Sequence, residues 1–409
     1  MNTSTDKWTL RFNLDTAPLS PSIYTSQAQF ELERDKIFRK YWLNLGRIED
    51  IPKPGDYVVH ELPLFPTSIL LIHGYDGRVR GFHNMCTHRG NKVCPMFAAP
   101  EAFVKTGNKR FHACEFHGWV FNDKGELVDI PDEAEFFDLD RKNLNLREVA
   151  TDTWEGFIFI NLDPAPELTL REQLGGLVDE LAGYPFEKYT SIFGYEGELA
   201  CNWKLSVDSQ IEGYHAVTLH RRTLGGPLVG ASDNPMLHML EFATFDRNFR
   251  LSMPGMPGAG GGARGPIDAL AAELAPSIRS YTQGRLGNLP PGINPTRSNN
   301  WVGDIYYVFP NFWIAPMDGQ YQTHNFWPLA VNRMYQRIVM RAPQPKTRSE
   351  QWGIEYARVM SSNVWLEDFS TLEESQQMAE SGLLENLHFQ DQEVLCRYFH
   401  KVIRSHIGA

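Results

Sequence analysis

The sequence lacks the features of several protein classes. Its five cysteines in 409 residues are too few for a disulfide framework, which favours a reducing compartment where clustered Cys and His serve metal or redox chemistry. No apolar run approaches the roughly 18 residues of a membrane span. The first residues also carry no basic segment followed by an apolar stretch. We therefore expect a cytoplasmic protein with no membrane association.

An excess of positive charge is also missing. Lys and Arg number 39 against 50 Asp and Glu, which gives a net charge of −11. A protein that binds nucleic-acid phosphates needs a basic surface, so nucleic acid is excluded as a partner class. With 42% hydrophobic and 22% charged residues, the composition is that of an ordinary globular protein. The length predicts two or three domains of about 150 residues each.

Residues 46 to 165 have the pattern of a small all-β domain. Short β-rich runs, such as Thr67 to Ile72, alternate there with turn signals, one of which is Asp76-Gly77. The preceding segment, residues 1 to 45, contains a helix that we predict over residues 26 to 42.

Residues 166 to 409 place helices and strands in separate blocks, which favours an α+β region over alternating βαβ units. Ser349 is predicted as the N-cap of the last long helix. The stretch 255–265 is Gly-rich but lacks the strand and helix of a phosphate-binding loop, so we interpret it as a surface loop. The predicted elements are helices over 200–220, 267–281 and 349–385, and strands within 304–341.

Two pairs of potential metal ligands lie in the all-β region. Cys86-Thr-His88 is followed, after 25 intervening residues, by Cys114-Glu-Phe-His117. Thiolates and neutral imidazoles bind zinc, or a [2Fe–2S] cluster in which two His replace two Cys on one iron. Zinc sites more often pair Cys with Cys and His with His, so the mixed pairs favour the cluster. Zinc and four unrelated buried residues are the alternatives, and we interpret Cys94 as a bystander.

A second candidate site starts from His215 and His220 in the helical segment 200–220. Residues five apart on a straight α-helix are rotated by about 140° from each other. Both imidazoles therefore reach one metal only if the helix ends or bulges between them. On these residues alone, an Fe(II) site and a pair of structural histidines are equally good interpretations.

The first pair of motifs resembles Rieske non-haem iron oxygenases. Cys86-Thr-His-Arg-Gly and Cys114-Glu-Phe-His-Gly-Trp are similar to the Rieske motif, and Trp154-Glu-Gly-Phe-Ile-Phe-Ile-Asn-Leu is similar to the end of that domain. The resemblance implies a [2Fe–2S] cluster held by the two Cys and two His named above. The gap between the motifs is longer than is usual in the family, so we expect an extra surface loop from about Pro95 to Asn108.

The resemblance extends to a mononuclear iron site. Asn202-Trp-Lys204, followed by Glu212-Gly-Tyr-His215 and then His220, is similar to the catalytic iron motif of the family. This likeness favours His215 and His220 as Fe(II) ligands over two structural histidines.

The third iron ligand implied by the resemblance is Asp368. It lies in a segment that continues with Glu373 and Gln376 and that resembles the closing helix motif of the family. Its neighbour Glu367 is the main rival as a ligand, and an exposed helix acid without a metal role is the other alternative.

Glu212 and Asp208 are the residues that we assign to catalysis beside the metal ligands. In the family, the acid at the Glu212 position joins His215 to His117 of a neighbouring subunit, giving a short electron path. Most ring dioxygenases carry Asp there, whereas Glu is familiar from members that act on quaternary amines. Asp208-Ser209 replaces the Glu-Asn of many relatives, and Ser209 has no amide.

The resemblance implies the large (alpha) subunit of a terminal oxygenase of the aromatic-ring-hydroxylating family. A reductase, with or without a ferredoxin, would supply electrons for hydroxylation or cis-dihydroxylation of an aromatic or other small organic substrate by O2. The alternative is N- or O-dealkylation of a quaternary amine or aromatic ether. An electron carrier and a zinc-binding structural protein are rival classes.

The implied fold is α+β, with an all-β Rieske domain inserted in a helix-grip-like catalytic domain that has a central antiparallel sheet and helices. The expected assembly is a homotrimer, with or without a small beta subunit. Arg333 and Arg337 are candidates for binding a substrate carboxylate, although surface positions are the safer interpretation. Four aromatic residues are candidates for the substrate pocket or, more simply, for the core: Phe309, Phe312, Trp313 and Phe326.

Overall fold

The computed structural model describes residues 7–95, 104–220, 223, 237–254, 270, 289–317 and 320–408. The chain divides into two compact units, Phe38–Gln173 and Met1–Ile37 together with Leu174–Ala409. The second unit is therefore discontinuous in sequence, and the first unit is inserted in it. The predicted domain boundaries, after residues 45 and 165, stay a prediction, and each lies eight residues from the nearest of these divisions.

The inserted unit is all-β, as predicted. Its strands form a seven-stranded antiparallel sheet in the order β1-β10-β9-β4-β3-β2-β5 and a small sheet in the order β6-β7-β8. The strands are β1 (Leu43–Arg47), β2 (Asp56–Leu62), β3 (Thr67–His73), β4 (Val79–His83), β5 (Val104–Asn108), β6 (His112–Ala113), β7 (Val120–Phe121), β8 (Leu127–Asp129), β9 (Glu148–Trp154) and β10 (Phe157–Asn161).

The prediction of a surface loop from Pro95 to Asn108 is wrong for the second half of this segment. Val104–Asn108 forms β5, which pairs antiparallel with β2 from Asp56↔Asn108 to His60↔Val104. The sequence Val-Lys-Thr-Gly-Asn gives only a weak strand signal. The free hydrogen-bonding edge of β2, not local propensity, accounts for this strand.

The core of the inserted unit supports the two Cys/His motifs. The run Ile69 to Ile72 in β3 is fully buried, which makes it a continuous apolar strand. Leu70, Ile72 and Phe82 belong to a buried cluster that also includes Cys86 and Cys114. Both motif cysteines are therefore fixed on the core of the sheet domain.

The second unit combines a seven-stranded antiparallel sheet, in the order β11-β17-β16-β15-β14-β13-β12, with helices, so the α+β prediction is confirmed. Its strands are β11 (Ser191–Leu199), β12 (Glu241–Phe245), β13 (Asn248–Pro254), β14 (Trp301–Val308), β15 (Phe312–Met317), β16 (Gln320–Ala330) and β17 (Arg333–Ala342). The α-helices described along the chain are α1 (Trp8–Arg11), α2 (Ser22–Thr25), α3 (Gln27–Glu33), α4 (Leu170–Leu174), α5 (Leu177–Glu180), α6 (Trp203–Gln210), α7 (Ala216–Leu219), α8 (Arg348–Glu380) and α9 (Val394–Ile407). Within the described ranges, every helix is too short or too polar to cross a membrane.

Helix α8 begins one residue before the predicted start at residue 349, and its N-cap is Thr347 instead of Ser349. The Thr347 hydroxyl accepts a hydrogen bond from the Glu350 backbone N–H, and the Glu350 carboxylate accepts one from the Thr347 N–H. This capping box satisfies two backbone donors at once, whereas Ser349 already lies inside the first turn. The helix then runs for 33 residues.

Two other predicted helices are shorter than expected. The segment 200–220 divides into α6 and α7, and the segment 26–42 contains α3 followed by a π-helical turn over Arg34–Phe38. The Gly-rich stretch 255–265 lies outside the described residues, as does the predicted helix 267–281 apart from the helical residue Leu270.

Candidate metal centres

The two Cys/His loops have the same backbone construction. The Cys86 carbonyl accepts a hydrogen bond from the Gly90 N–H at 2.9 Å, and the Cys114 carbonyl accepts one from the Gly118 N–H at 2.8 Å. Gly90 and Gly118 have φ angles of +80° and +76°, a region that residues with a Cβ rarely adopt. Each Cys-x-His or Cys-x2-His segment is thus held in a tight turn by a glycine that the sequence motif already contains.

The side chains of these loops converge. The rings of His88 and His117 lie 4.7 Å apart between centroids, and His88 stacks on Trp119 at 4.8 Å. Burial, with a contribution from neighbouring Cys114, raises the pKa of Cys86 to about 11. Its thiolate form therefore needs a cation nearby, as a metal cluster would provide.

The donor set fits a two-iron cluster. Burial and then the neighbouring His117 lower the pKa of His88, so its imidazole is neutral near pH 7. Its Nδ1 atom is buried and has no hydrogen-bond partner among the described residues, which leaves a free lone pair to bind a metal. His117 is exposed in the single chain, and two thiols and two imidazoles are the ligands of a Rieske [2Fe–2S] cluster.

The second candidate centre is built around helix α7. This helix has only four residues, and His215 and His220 flank it as the residues before and after its single turn. His215 still has helical backbone angles (φ −68°, ψ −27°), whereas the chain leaves helical geometry at His220 (φ −86°, ψ 14°). The helix therefore ends at the second histidine and does not continue straight through the pair. Their Nε2 atoms lie 3.1 Å apart.

Asp368 on α8 completes this centre. Its Oδ1 lies 3.2 Å from Nε2 of His220 and 3.5 Å from Nε2 of His215. Donor atoms of the three residues all lie within 4.8 Å of one another. Among the described residues, the donors of the two Cys/His loops are not drawn together to this spacing. Two His and one carboxylate form the facial set that suits non-haem Fe(II).

The protonation of the two imidazoles explains why the site attracts a cation. Nδ1 of His215 donates to Oε1 of Glu212, and Nδ1 of His220 donates to Oε2 of Glu367 at 3.0 Å. Both Nε2 atoms then carry lone pairs, and they face the buried Asp368 Oδ1, which accepts no hydrogen bond from the described residues. Three electron-rich atoms at this spacing repel one another unless a cation lies between them.

The pKa of His215 also indicates that the site favours a positive charge. Burial would lower this pKa, but the Glu212 and Asp368 carboxylates outweigh burial and raise it. The site therefore stabilises positive charge, as a proton or as a metal ion. The residues present fit a mononuclear Fe(II).

Helix α8 is hydrogen-bonded to the segment that immediately precedes α6. Oε1 of Glu373 accepts a hydrogen bond from the Ala200 N–H at 2.9 Å, and Oε1 of Gln376 accepts one from the Asn202 N–H at 3.0 Å. Glu373 and Gln376 lie on α8 beyond Asp368, at the helical spacing expected for neighbouring turns. These contacts fix α8, and with it Asp368, against the segment that leads to the histidines.

Sequence reasoning missed Gln210. The side-chain Nε2 of Gln210 donates to Oδ2 of Asp368 at 3.2 Å. Its backbone carbonyl accepts from Nε1 of Trp313 at 3.2 Å. Gln210 therefore orients the carboxylate so that Oδ1 faces the histidines. No spacing rule identifies this residue, because its partners lie 158 and 103 positions away.

The assignment of Asp208 as a catalytic residue remains a prediction. The structure places its carboxylate in a separate buried group, where Oδ2 accepts from the Tyr24 hydroxyl at 2.6 Å and from Nε2 of His400 at 2.7 Å. Ser209, at the position of an amide in many relatives, donates its hydroxyl to the Ser206 carbonyl at 2.9 Å. Asp208 is therefore not among the three converging donor residues.

The four aromatic candidates for the pocket are all buried on or beside the seven-stranded sheet of the second unit. Phe309 packs against His406 of α9, with 5.2 Å between ring centroids, and Trp313 packs against His324 at 4.2 Å. Arg333 and Arg337 lie near Glu198 and Glu196, at 3.7 and 3.5 Å, which supports surface roles. The four aromatic residues are Phe309, Phe312, Trp313 and Phe326.

Two protein families match the chain in separate segments. The family described as the ring hydroxylating alpha subunit (catalytic domain) matches residues 186–409, and the Rieske [2Fe–2S] domain matches residues 41–150. Together these matches cover all the candidate metal ligands described above.

Several characterised proteins are similar in sequence. The chlorobenzene dioxygenase subunit alpha of Cupriavidus sp. (strain PS12) is 32% identical over 290 residues, which cover 68% of this chain and 62% of that protein. A benzene 1,2-dioxygenase subunit alpha of Pseudomonas putida is 29% identical over 295 residues, covering 69% and 62%. The chain thus spans less than two thirds of the length of these relatives.

Solved structures share the fold over nearly the whole chain. The quaternary ammonium Rieske monooxygenase CntA in complex with an inhibitor has a TM-score of 0.70 and 20% identity, with 97% of this chain and 98% of that chain covered. Naphthalene 1,2-dioxygenase from Rhodococcus sp., bound to indole, has a TM-score of 0.71 and 19% identity, with 95% and 94% covered. At these identities, the likeness supports the fold alone.

Proposed function

Because the chain belongs to the ring-hydroxylating alpha subunit family of Rieske oxygenases, we propose that it is the terminal oxygenase of a multicomponent system. It uses O2 and electrons from a separate reductase, with or without a ferredoxin, to hydroxylate or cis-dihydroxylate an aromatic or other small organic substrate. The observation that carries this proposal is the presence of two distinct donor sets, Cys86/His88/Cys114/His117 and His215/His220/Asp368, in one chain.

The two metal groups supply electron storage at the cluster and O2 activation at the mononuclear iron. The chain's own residues hold and orient these groups. Glu212 keeps the proton of His215 on Nδ1, and Gln210 turns the Asp368 carboxylate so that one oxygen faces the histidines. The buried aromatic side chains on the seven-stranded sheet of the second unit provide apolar surroundings that suit a flat ring.

Metal content is the direct test of this proposal. A chain with both centres binds three irons and two acid-labile sulfides and absorbs visible light, because a [2Fe–2S] cluster accounts for two irons and two sulfides. The measurement is iron and sulfide per chain, with a visible spectrum, on anaerobically purified protein to which Fe(II) has been added back. Zinc without sulfide, in a colourless protein, would contradict the oxygenase proposal.

We propose that Glu212 links the two centres in a homotrimer. Its Oε1 accepts from Nδ1 of His215, and its Oε2 accepts from the backbone N–H of Tyr214 and His215. His117 is exposed in the single chain and so is available to a neighbour. On this proposal, the same carboxylate also binds the partner subunit's His117, so that electrons cross the interface through one residue.

The Glu212→Gln variant is expected to turn over about 10–100-fold more slowly with unchanged iron and sulfide content. The amide keeps an acceptor for His215 but presents a donor where the second imidazole also donates. The measurement is the rate at which the pre-reduced cluster is reoxidised by O2 and substrate. Glu374→Gln, an exposed acid on α8, is the control, and reoxidation at the wild-type rate in Glu212→Gln would contradict the bridging role.

A second candidate activity is N- or O-dealkylation of a quaternary amine or an aromatic ether. It is favoured by Glu212 itself, since this longer acid is familiar from family members that act on quaternary amines. Aromatic side chains also bind quaternary ammonium groups through cation–π contacts. Product analysis separates the two activities, because dealkylation releases an aldehyde whereas cis-dihydroxylation gives a diol.

A further inference from the structure

We propose that Glu367 is a positioning residue of the iron site, which holds His220 in the one tautomer and orientation that can bind the metal. The proposal rests on the proposed iron site and extends it, because it assigns a role to an acid that the sequence offers only as a rival ligand. It starts from two contacts of the Glu367 carboxylate. Oε2 lies 3.0 Å from Nδ1 of His220, and Oε1 accepts from the Thr223 hydroxyl at 2.7 Å.

Helix geometry separates the roles of Glu367 and Asp368. Adjacent residues on an α-helix point about 100° apart, so the two carboxylates of α8 cannot occupy the same position beside the metal. Asp368 is 3% exposed and faces the two Nε2 atoms. Glu367 is 21% exposed and meets His220 from the opposite side of the ring, at Nδ1.

The contact determines which nitrogen of His220 carries the proton. A carboxylate only accepts hydrogen bonds, so Nδ1 must carry a proton, and the neutral tautomer with this proton has its lone pair on Nε2. Nε2 is the atom that lies 3.2 Å from Asp368 Oδ1. Without Glu367, the imidazole of His220 is free to rotate or to place its proton on Nε2, and either change removes a ligand.

Glu367 is supported in turn by Thr223, which is 8% exposed. The Thr223 hydroxyl fixes the oxygen of Glu367 that does not touch His220. The iron site is thereby held by two carboxylate–histidine pairs, Glu212 with His215 and Glu367 with His220. A carboxylate in this position also raises the basicity of the imidazole and strengthens its bond to the metal.

The test is Fe(II) affinity, measured independently of turnover. Protein stripped of mononuclear iron with a chelator, and still holding its cluster by visible spectrum, is titrated with Fe(II). Glu367→Ala is expected to bind Fe(II) about 10–100-fold more weakly than the wild type. Glu367→Gln, which keeps an acceptor for Nδ1, is expected to lose less, and Glu374→Gln to lose nothing.

The Thr223→Val variant tests the positioning role of Glu367 by removing the hydroxyl that donates to its Oε1. It is expected to weaken Fe(II) binding in the wild-type background and to have no further effect in Glu367→Ala, because both changes remove one coupled contact. An unchanged cluster spectrum and unfolding temperature show that each variant is folded.

Two results would overturn the positioning role. Glu367→Ala binding Fe(II) like Glu374→Gln would mean that the contact does not matter to the metal. Loss of binding in Glu367→Ala as complete as in Asp368→Ala would mean that Glu367 is itself a ligand. Absence of Fe(II) binding in the wild-type chain is a different failure, which would overturn the proposed function and this inference with it.

Discussion

The Asp368→Ala variant is expected to lose turnover and mononuclear iron while keeping a wild-type visible spectrum. Asp368 is the one carboxylate in the set, and the other two donors are imidazoles. Removing a direct ligand costs more than removing a residue behind a ligand, so the expected loss of Fe(II) affinity exceeds about 100-fold. The measurement is bound iron in excess of that required by the sulfide content, with turnover assayed on the same sample.

Asp368→Asn tests the same prediction with a smaller change in the side chain. It preserves the shape of the side chain and an acceptor for Nε2 of Gln210, but it removes the negative charge that offsets Fe(II). We expect Asp368→Asn to bind iron more weakly than the wild type and to remain folded. Wild-type iron content and turnover in Asp368→Ala would eliminate the three-residue site.

The Lys204→Met variant is expected to destabilise the second unit, which we call the catalytic unit (Met1–Ile37 with Leu174–Ala409), by about 3–5 kcal/mol. Nζ of Lys204 lies 2.8 Å from Oε2 of Glu33, and the two side chains are 1% and 0% exposed. Nε1 of Trp203 donates to the same oxygen at 2.9 Å. Removing the ammonium leaves a buried carboxylate with only neutral donors, the Trp203 indole and the Gln29 amide. The measurement is the free energy of unfolding in denaturant.

Two further variants control this experiment. Arg333→Met removes an exposed ion pair with Glu198 from the same unit and is expected to cost less than about 1 kcal/mol. The double variant Glu33→Gln/Lys204→Met is expected to recover part of the loss, because the uncompensated charge is gone. A double variant as unstable as Lys204→Met would show that the charge is not the cause.

The candidate cluster ligands can be proposed from the sequence because their signals are local. Each cluster loop carries a Cys, a His and a glycine within a few residues, and the glycines are those that the turns require. The pairing of His215 with His220 is harder to predict, because a five-residue spacing does not suit a straight helix and only the structure shows that the helix ends at His220. Asp368, 148 residues beyond His220, came from family resemblance alone.

The supporting contacts were not predictable, because they join distant segments. Gln210 meets Asp368 across 158 positions, and Glu367 meets His220 across 147. Nothing in the sequence near either residue marks it as a partner of the site. Strand β5 was missed for a related reason, since it depends on the free edge of β2 more than on its own residues.

The discontinuity of the catalytic unit has a consequence for protein synthesis. Residues 38–173 are contiguous, so this unit can complete its contacts as soon as it has left the ribosome. Glu33 precedes Lys204 by 171 positions, and the two are synthesised about 10–30 s apart at typical elongation rates. During that interval the Glu33 carboxylate lacks the ammonium of Lys204 and the indole of Trp203, so the discontinuous unit completes its assembly only after the inserted one.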